Sequence, residues 1–368
     1  MKKIKFLDLV AQYNSIKNEI NEAIINVIND SAFIGGKYVE TFEKAFAEYH
    51  QAKYCIGVGN GTDAIEIALE SLDLPKGGEV IVPANTFIAT AEAVTRSGYK
   101  VVFCDCNSDD YTISIESFQS KITNRTVAVI PVHLYGHPCD MGRIMELSSK
   151  YNIKVIEDCA QAHGAEYKDI KVGTIGDIGT FSFYPGKNLG AYGDAGAIIT
   201  NNHELSVKCK MIANHGRIDK YDHEFEGRNS RLDGIQAAIL SVKLKHLGLW
   251  IDKRRNLANF YITNLANIED IILPVIRPWA KHVFHLFVIR AKHRDSLKKY
   301  LNDSNIETGI HYPIALPKLK AYRYCEQSEE NFKANKYDSQ LLSLPVGDHM
   351  DLSDAEYVVS KIKEFYNK

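Results

Sequence analysis

No apolar run in this 368-residue sequence approaches 18 residues, so no membrane-spanning helix is expected. The opening MKKIKFLDLVAQY carries lysines like those of a secretory leader, but the apolar stretch such a leader needs does not follow. The expected location is the cytoplasm, with no membrane partner. Net charge is nearly absent: 44 Lys and Arg against 46 Asp and Glu leave −2. That balance argues against a general nucleic-acid or membrane-surface binder. It leaves room for a local basic patch around one phosphorylated ligand. Internal repeats, low-complexity segments and evident linkers are also missing. The seven cysteines are odd in number and scattered, mostly within apolar strand-like runs. They fit reduced, buried thiols rather than a disulfide framework. Cys104-x-Cys106 lacks the spacing of a redox CxxC. His133, His137 and Cys139 have ligand chemistry, but no second cluster completes them and no metal is expected.

What is present is a rhythm. Ile16, Ile20, Ala23, Ile24, Val27 and Ile28 recur at helical spacing and predict an amphipathic helix over about 12–29. Gly35-Gly36 breaks the chain before a second helix near 38–49. Short β-rich runs at 54–58, 79–82, 100–104, 126–131 and 154–157 then alternate with helical segments at 62–72, 86–97, 115–121 and 141–151. Alternation at those lengths predicts an α/β fold, with a mainly parallel sheet flanked by helices on both faces. Further strands are expected at 178–183 and 195–200, and a long helix over about 231–265. A strand at 282–289 and helices near 294–301 and 353–366 form a smaller α+β unit. The expected division is a large domain over 1–240 and a smaller C-terminal domain over 241–368, which the chain length suits. Ligands of such sheets bind at the carboxyl ends of the strands. Three motifs fall there.

The strand Val155-Ile156-Glu157 ends in Asp158. An acid at that position either caps a turn or pairs with a cationic ring nitrogen. Lys187 lies 29 residues further on, in Tyr184-Pro185-Gly186-Lys187-Asn188-Leu189-Gly190. A solvated surface lysine is the ordinary alternative. Between glycines in apolar and aromatic surroundings, however, desolvation lowers the amine pKa and makes it a nucleophile for a carbonyl cofactor. The third motif, Gly57-Val58-Gly59-Asn60-Gly61-Thr62-Asp63-Ala64, ends a strand and opens a helix. Free N–H groups and the helix dipole make such a start a phosphate cradle. A dinucleotide fingerprint competes but fails, because its third glycine position holds Thr62.

These motifs occur in order with Phe6-Leu7-Asp8-Leu9, Phe33-Ile34-Gly35-Gly36, Pro83-Ala84-Asn85-Thr86-Phe87 and His133-Leu134-Tyr135-Gly136. Asn229-Ser230-Arg231-Leu232-Asp233, Gln236-Ala237-Ala238 and His311-Tyr312-Pro313 follow. Over nearly the whole chain the set resembles the DegT/DnrJ/EryC1/StrS family of nucleotide-sugar aminotransferases, which depend on pyridoxal 5′-phosphate (PLP). The resemblance implies the type I fold of PLP-dependent transferases, the aspartate-aminotransferase type. It implies that Lys187 carries the cofactor and shuttles a proton as general base and acid. Asp158 would pair with the pyridinium nitrogen, Gln161 would bond the ring O3′ oxygen, and Phe87 would stack on the ring. The Gly61 and Thr62 amides and the Ser182 hydroxyl would hold the phosphate. Asn229 would reach the phosphate of the neighbouring subunit, giving a homodimer with shared active sites. Tyr184, His311 and Tyr312 would line the sugar pocket. Competing readings are core packing for Phe87 and His311, a strand-end hydroxyl for Ser182, and a cap of the helix near Arg231 for Asn229. His163 either contacts the cofactor or caps a turn.

The chain also departs from the family pattern. Gly-Asp-Gly-Gly after the lysine reads Gly193-Asp194-Ala195-Gly196, and a Pro-Pro-His-like run after Pro313 reads Ile314-Ala315-Leu316-Pro317-Lys318, without histidine. Gly234 stands where glutamate is common, and a glycine inside a helix costs about 1 kcal/mol. The run around Lys187 resembles the branch that aminates sugar C3; relatives acting at C4 carry His-x-x-Lys and a Thr-Thr-Gly-Glu-Gly-Gly-like run. The implied reaction converts a dTDP-3-keto-6-deoxyhexose to the 3-amino-3,6-dideoxyhexose, as in O-antigen and other polysaccharide biosynthesis. L-Glutamate would be the donor, with ping-pong turnover through the pyridoxamine form (PMP). The alternatives are C4 amination of a UDP- or dTDP-4-keto sugar, a sugar dehydratase, and a non-catalytic ligand-sensing regulator. A histidine replaces the lysine in the dehydratase, and a sensor has no use for intact Lys187, Asp158 and Gln161 together.

Overall fold

The computed structural model describes residues 3–366. The chain starts with α1 (Leu9–Ser15) and α2 (Lys17–Asn29). The single helix expected over 12–29 is therefore two. Ile16, at φ −130°, breaks the run, and its amide turns back to the Tyr13 carbonyl. Ile16 and Ile20 are buried beside Ile239 and Val242, and that packing outweighs the continuous periodicity. Gly35 and Gly36, with φ of 67° and 73°, make the turn into α3 (Lys37–His50).

Strands and helices then alternate as expected: β1 (Tyr54–Val58), α4 (Gly61–Ser71), β2 (Glu79–Pro83), α5 (Ile88–Arg96), β3 (Lys100–Cys104), α6 (Ile115–Lys121), β4 (Thr126–Val129), α7 (Met141–Tyr151) and β5 (Lys154–Asp158). A small hairpin, β6 (Glu166–Tyr167) and β7 (Ile170–Lys171), precedes β8 (Ile178–Ser182) and β9 (Gly196–Thr200). Seven strands form one sheet in the order β1-β9-β8-β5-β4-β2-β3. β9 alone runs against the rest, pairing antiparallel with both β1 and β8. Val155, Ile81 and Ile199 pack with Phe42, Phe46, Met141 and Ile144 on one face. Ile156, Val80, Val82 and Ile198 pack with Ile65, Ile67, Ala91 and Val94 on the other. Covered on both faces, the strands read as continuous apolar runs.

A further helix, α8 (His203–Ala213), follows β9 and is capped by the Asn202 side chain. The hairpin β10 (Arg217–Asp219) and β11 (Asp222–His223) leads to α9 (Gly234–Leu265), 32 residues long. α9 begins at Gly234 rather than near Arg231. The Gly234 amide donates to the Phe33 carbonyl at 2.7 Å, and a Cβ there would stand 2.0 Å from the Ala32 carbonyl oxygen. The glycine thus sits at a close chain crossing in the first turn, not in a helix interior. Leu240, Leu244, Leu247 and Ile251 belong to the core of the large sheet, whereas Leu257, Tyr261 and Leu265 belong to a second core. The division expected at residue 240 falls inside this continuous helix.

The chain continues with β12 (Ile271–Ile272), β13 (Ala280–Lys281), β14 (Phe287–Ala291), α10 (Arg294–Asp303), α11 (Lys333–Tyr337), β15 (Leu341–Leu344) and α12 (Leu352–Tyr366); β13 pairs with β6 and α11 adds Ala334 to the core of the large sheet, while the others build the second unit. β12, β14 and β15 form an antiparallel sheet. β14 begins at Phe287, later than the 282 expected. The residues before it bond to the turn at 134–136 instead, Val283 N to Gly136 O at 3.1 Å and Leu286 N to Tyr135 O at 3.2 Å. Near the N-terminus, Ile4 joins this second core and donates to the Asn305 carbonyl at 2.9 Å. Among the described residues no helix is long and apolar enough to cross a membrane. All seven cysteines are free thiols.

Candidate active site

Alternation along β5 sends its two terminal acids to opposite faces. Glu157 accepts the amides of Gly173 (2.8 Å), Ile175 (2.8 Å) and Gly176 (2.7 Å), and faces His133 Nε2 at 3.0 Å. His133 Nδ1 accepts from Cys139 N, so Nε2 carries the ring hydrogen and donates. His137 faces the Pro138 carbonyl through Nδ1 and accepts from Arg277 N at Nε2. The three residues weighed as ligands therefore serve protein hydrogen bonds. So does the Glu157 carboxylate, which with His133 and Cys159 makes the one metal-like grouping among the described residues.

Asp158 points to the other face and is buried. Its Oδ1 accepts from Ala160 N at 3.1 Å. Its Oδ2 accepts from Thr90 Oγ1 at 2.8 Å, and that hydroxyl lies 3.1 Å from Thr86 Oγ1. Burial pushes the Asp158 pKa above its ordinary value, against the pull of these donors and of the Lys187 charge. Lys187 sits in the turn after β8, its amide bonded to Tyr184 O at 2.8 Å. It is half-buried and lines the cavity described below, and desolvation draws its pKa down to about 8 against the attraction of Asp158.

At the start of α4 the Asn60 side chain accepts from Asp63 N at 2.9 Å. The Gly61 and Thr62 amides precede the first residue that can find an intrahelical acceptor, so both point outward as free donors. A Cβ on Gly61 would stand 2.6 Å from Ser182 Cβ; glycine lets the helix start approach that strand end. Ser182 Oγ accepts from Tyr184 N at 3.3 Å and keeps its own hydrogen to donate. The Gln161 amide is fixed at both ends, Oε1 accepting from Tyr135 N (2.7 Å) and Nε2 donating to Tyr312 Oη (2.9 Å). The Phe87 ring is 52% exposed, with Tyr312 on one side at 5.6 Å between centroids, so it is not core packing. His311 stacks on Phe6 at 5.7 Å, and its Nδ1 lies 2.8 Å from Ser343 Oγ. Burial lowers its pKa to about 4, which leaves it neutral.

These residues and Tyr184 line one cavity of about 590 Å³ at the carboxyl ends of β1, β5 and β8. Of the site residues expected from sequence, Asn229 is absent from it. Asn229 is exposed, and its main chain bridges Asn214. The cap of α9 is Asp233, so Asn229 does not cap that helix. His163 is also elsewhere. It is fully buried against Phe181 and Phe183, and neither ring nitrogen makes a hydrogen bond. With no hydrogen bond from either ring nitrogen, it caps no turn. Thr90, Arg254 and His285 also line the cavity. Nothing in the sequence marks them, because a threonine or arginine in a helix and a histidine in an apolar run are ordinary.

The donor set fits PLP: two free amides and a hydroxyl for a dianion, a buried carboxylate for a cationic ring nitrogen, and an amine of lowered pKa for an aldehyde. The chain's similarities run the same way. The model of the DegT/DnrJ/EryC1/StrS aminotransferase family matches residues 14–363. The dTDP-3-amino-3,6-dideoxy-alpha-D-galactopyranose transaminase of Aneurinibacillus thermoaerophilus is 44% identical over 363 residues, 98% of this chain and 99% of that protein. The crystal structure of DesV from S. venezuelae superposes with a TM-score of 0.97 at 39% identity and covers 100% of both chains. That of ntda from Bacillus subtilis with bound cofactor PMP superposes at 0.93 with 34% identity, covering 100% of this chain and 86% of that one. A lysine and an aspartate brought together in this cavity, on a fold matched end to end, make the chain a member of the DegT/DnrJ/EryC1/StrS family of PLP-dependent aminotransferases.

Proposed function

We propose that this protein binds PLP and moves an amino group from L-glutamate to C3 of a dTDP-linked 3-keto-6-deoxyhexose in a ping-pong cycle. The observation that carries the proposal is the convergence of Lys187 and Asp158 on one cavity beside the free amides of α4. The name of the relative from Aneurinibacillus thermoaerophilus supports the sugar and its C3 position. When bound, the cofactor supplies an aldehyde and an electron-withdrawing ring. The Gly61 and Thr62 amides and the Ser182 hydroxyl hold its phosphate. Asp158 faces the ring nitrogen, whose positive charge offsets the cost of burying the carboxylate. Phe87 offers its open ring face for stacking, and the Gln161 amide orients the ring hydroxyl. With a pKa of about 8, Lys187 Nζ takes up and releases a proton near neutral pH, as a general base and acid must. Tyr184, His311 and Tyr312 line the side left for the sugar.

Asn229 completes the phosphate site of a second copy of the chain, so the active form is a homodimer with shared sites. Its exposure, its place beside Ser230, whose Oγ accepts from Gly59 N at 3.0 Å, and its freedom from capping α9 support this role. Mixing Asn229→Ala chains with Lys187→Ala chains tests it. One site of each mixed dimer then receives an intact lysine and an intact asparagine, and activity reappears. No gain on mixing, when each variant alone is impaired, refutes sharing. For the reaction itself, a panel of 3-keto and 4-keto nucleotide sugars with glutamate is read by mass spectrometry. An amino product from the 3-keto dTDP sugar is expected, and preference for a 4-keto sugar overturns the assignment.

A further inference from the structure

Arg254, Asn188 and His285 form an arrangement that these roles leave unused. The Arg254 guanidinium donates through Nη1 to the carbonyls of Phe284 (3.2 Å), His285 (3.3 Å) and Val346 (2.9 Å). With the Val283 and Leu286 amides tied to the turn at 134–136, the main chain around His285 is held on every side. The tautomer of the ring is fixed as well. Asn188 Nδ2 donates to the Val283 carbonyl at 3.1 Å, so its Oδ1 is the atom that faces His285 Nδ1 at 3.3 Å. Nδ1 must therefore carry the hydrogen, and Nε2 keeps a bare lone pair. Nε2 has no protein partner among the described residues, and the ring lines the cavity of Lys187.

We infer that His285 Nε2 is a hydrogen-bond acceptor for a sugar hydroxyl adjacent to the reacting carbonyl, which makes His285 a specificity-determining residue. The inference rests on the sugar-aminotransferase reading of this cavity. Burial, with Lys187 and Arg254 nearby, holds the imidazole pKa well below its ordinary value. The ring is thus neutral at pH 7 and a poor base, which suits acceptance of a hydrogen bond rather than removal of a proton. The same two cations disfavour an ammonium donor, and a carboxylate has no hydrogen to give the lone pair. A neutral hydroxyl is the partner that remains. A ligand lacking it leaves a desolvated acceptor unpaired, which is costly.

The test separates the two half-reactions of the holoenzyme. Glutamate converting the cofactor is followed by absorbance, and consumption of the keto-sugar is followed on the aminated form. His285→Phe keeps a ring and removes the lone pair; His285→Gln places an amide oxygen near the position of Nε2. We expect His285→Phe to raise KM for the keto-sugar on the order of tenfold beyond any slowing of the glutamate half-reaction, the factor that about 1.4 kcal/mol represents. Most of that loss should return in His285→Gln. A sugar analogue lacking the adjacent hydroxyl should be handled alike by wild type and His285→Phe. Equal losses in both half-reactions, no recovery with glutamine, or discrimination that persists on the deoxy analogue overturns the inference. A wild-type enzyme without a glutamate half-reaction overturns the transaminase reading beneath it.

Discussion

Replacing Lys187 by methionine should make the cofactor-free protein more stable at neutral pH, although it removes the amine proposed to carry the chemistry. In the fold the lysine pKa is drawn from 10.5 to about 8. The native state therefore holds the ammonium less readily than the unfolded chain does. At about 1.4 kcal/mol per pKa unit, the interval corresponds to about 3 kcal/mol at most. Below pH 8 both states are protonated and the penalty is fully present. Between pH 8 and 10.5 the unfolded chain binds the extra proton, so wild-type stability climbs with pH and the advantage of methionine shrinks. Two effects trim the gain. Lys187 keeps some access to solvent through the cavity, and its removal strips Asp158 of a charge that partly offsets its burial. A net gain of about 1–2 kcal/mol near pH 7 is expected. Denaturant unfolding of apoprotein at fixed concentration, from about pH 6 to 10, measures it. A variant no more stable than wild type near pH 7, or an advantage that does not shrink toward pH 10, would refute the claim that Lys187 is held as a desolvated amine.

Asp158→Asn should cut turnover by more than about tenfold, or 1.4 kcal/mol, because a neutral amide no longer favours a protonated ring nitrogen; a smaller loss marks Asp158 as structural. Thr90→Val removes the hydroxyl that donates to Asp158 Oδ2 at 2.8 Å and leaves the shape intact. With one opposing donor gone the carboxyl pKa rises further, so the acid limb of the pH–rate profile should move to higher pH and return in Thr90→Ser. An unmoved limb counts against a positioning role for Thr90. Gly234→Ala puts a methyl 2.0 Å from the Ala32 carbonyl oxygen and should cost about 1–3 kcal/mol, as overpacking does; an unchanged Tm in thermal unfolding contradicts the close crossing described for that glycine.

Much of this protein is local and was open to reading before any fold. The alternation from β1 to β5 is visible because burial on both sheet faces forces continuous apolar strands, while each crossover helix buries one stripe. The open start of α4, proposed as the phosphate cradle, is equally local, since helix geometry alone leaves the Gly61 and Thr62 amides free. Lys187 and Asp158 announce themselves by flanking residues, and the order of the motifs carries the family. The rest depends on contacts between distant parts of the chain. Ile16 interrupts a periodic helix because α9 packs there. Gly234 makes sense only beside Ala32. The sequence shows two acids at the end of β5 but not their surroundings; Thr90, 68 residues away, serves Asp158, while the 173–176 amides take Glu157. The free lone pair of His285 is set by Asn188, 97 positions away. Periodicity records which way a side chain faces. Which atom meets it there is decided by topology, and that is why the residues that share this cavity were legible in the sequence while the groups that orient them were not.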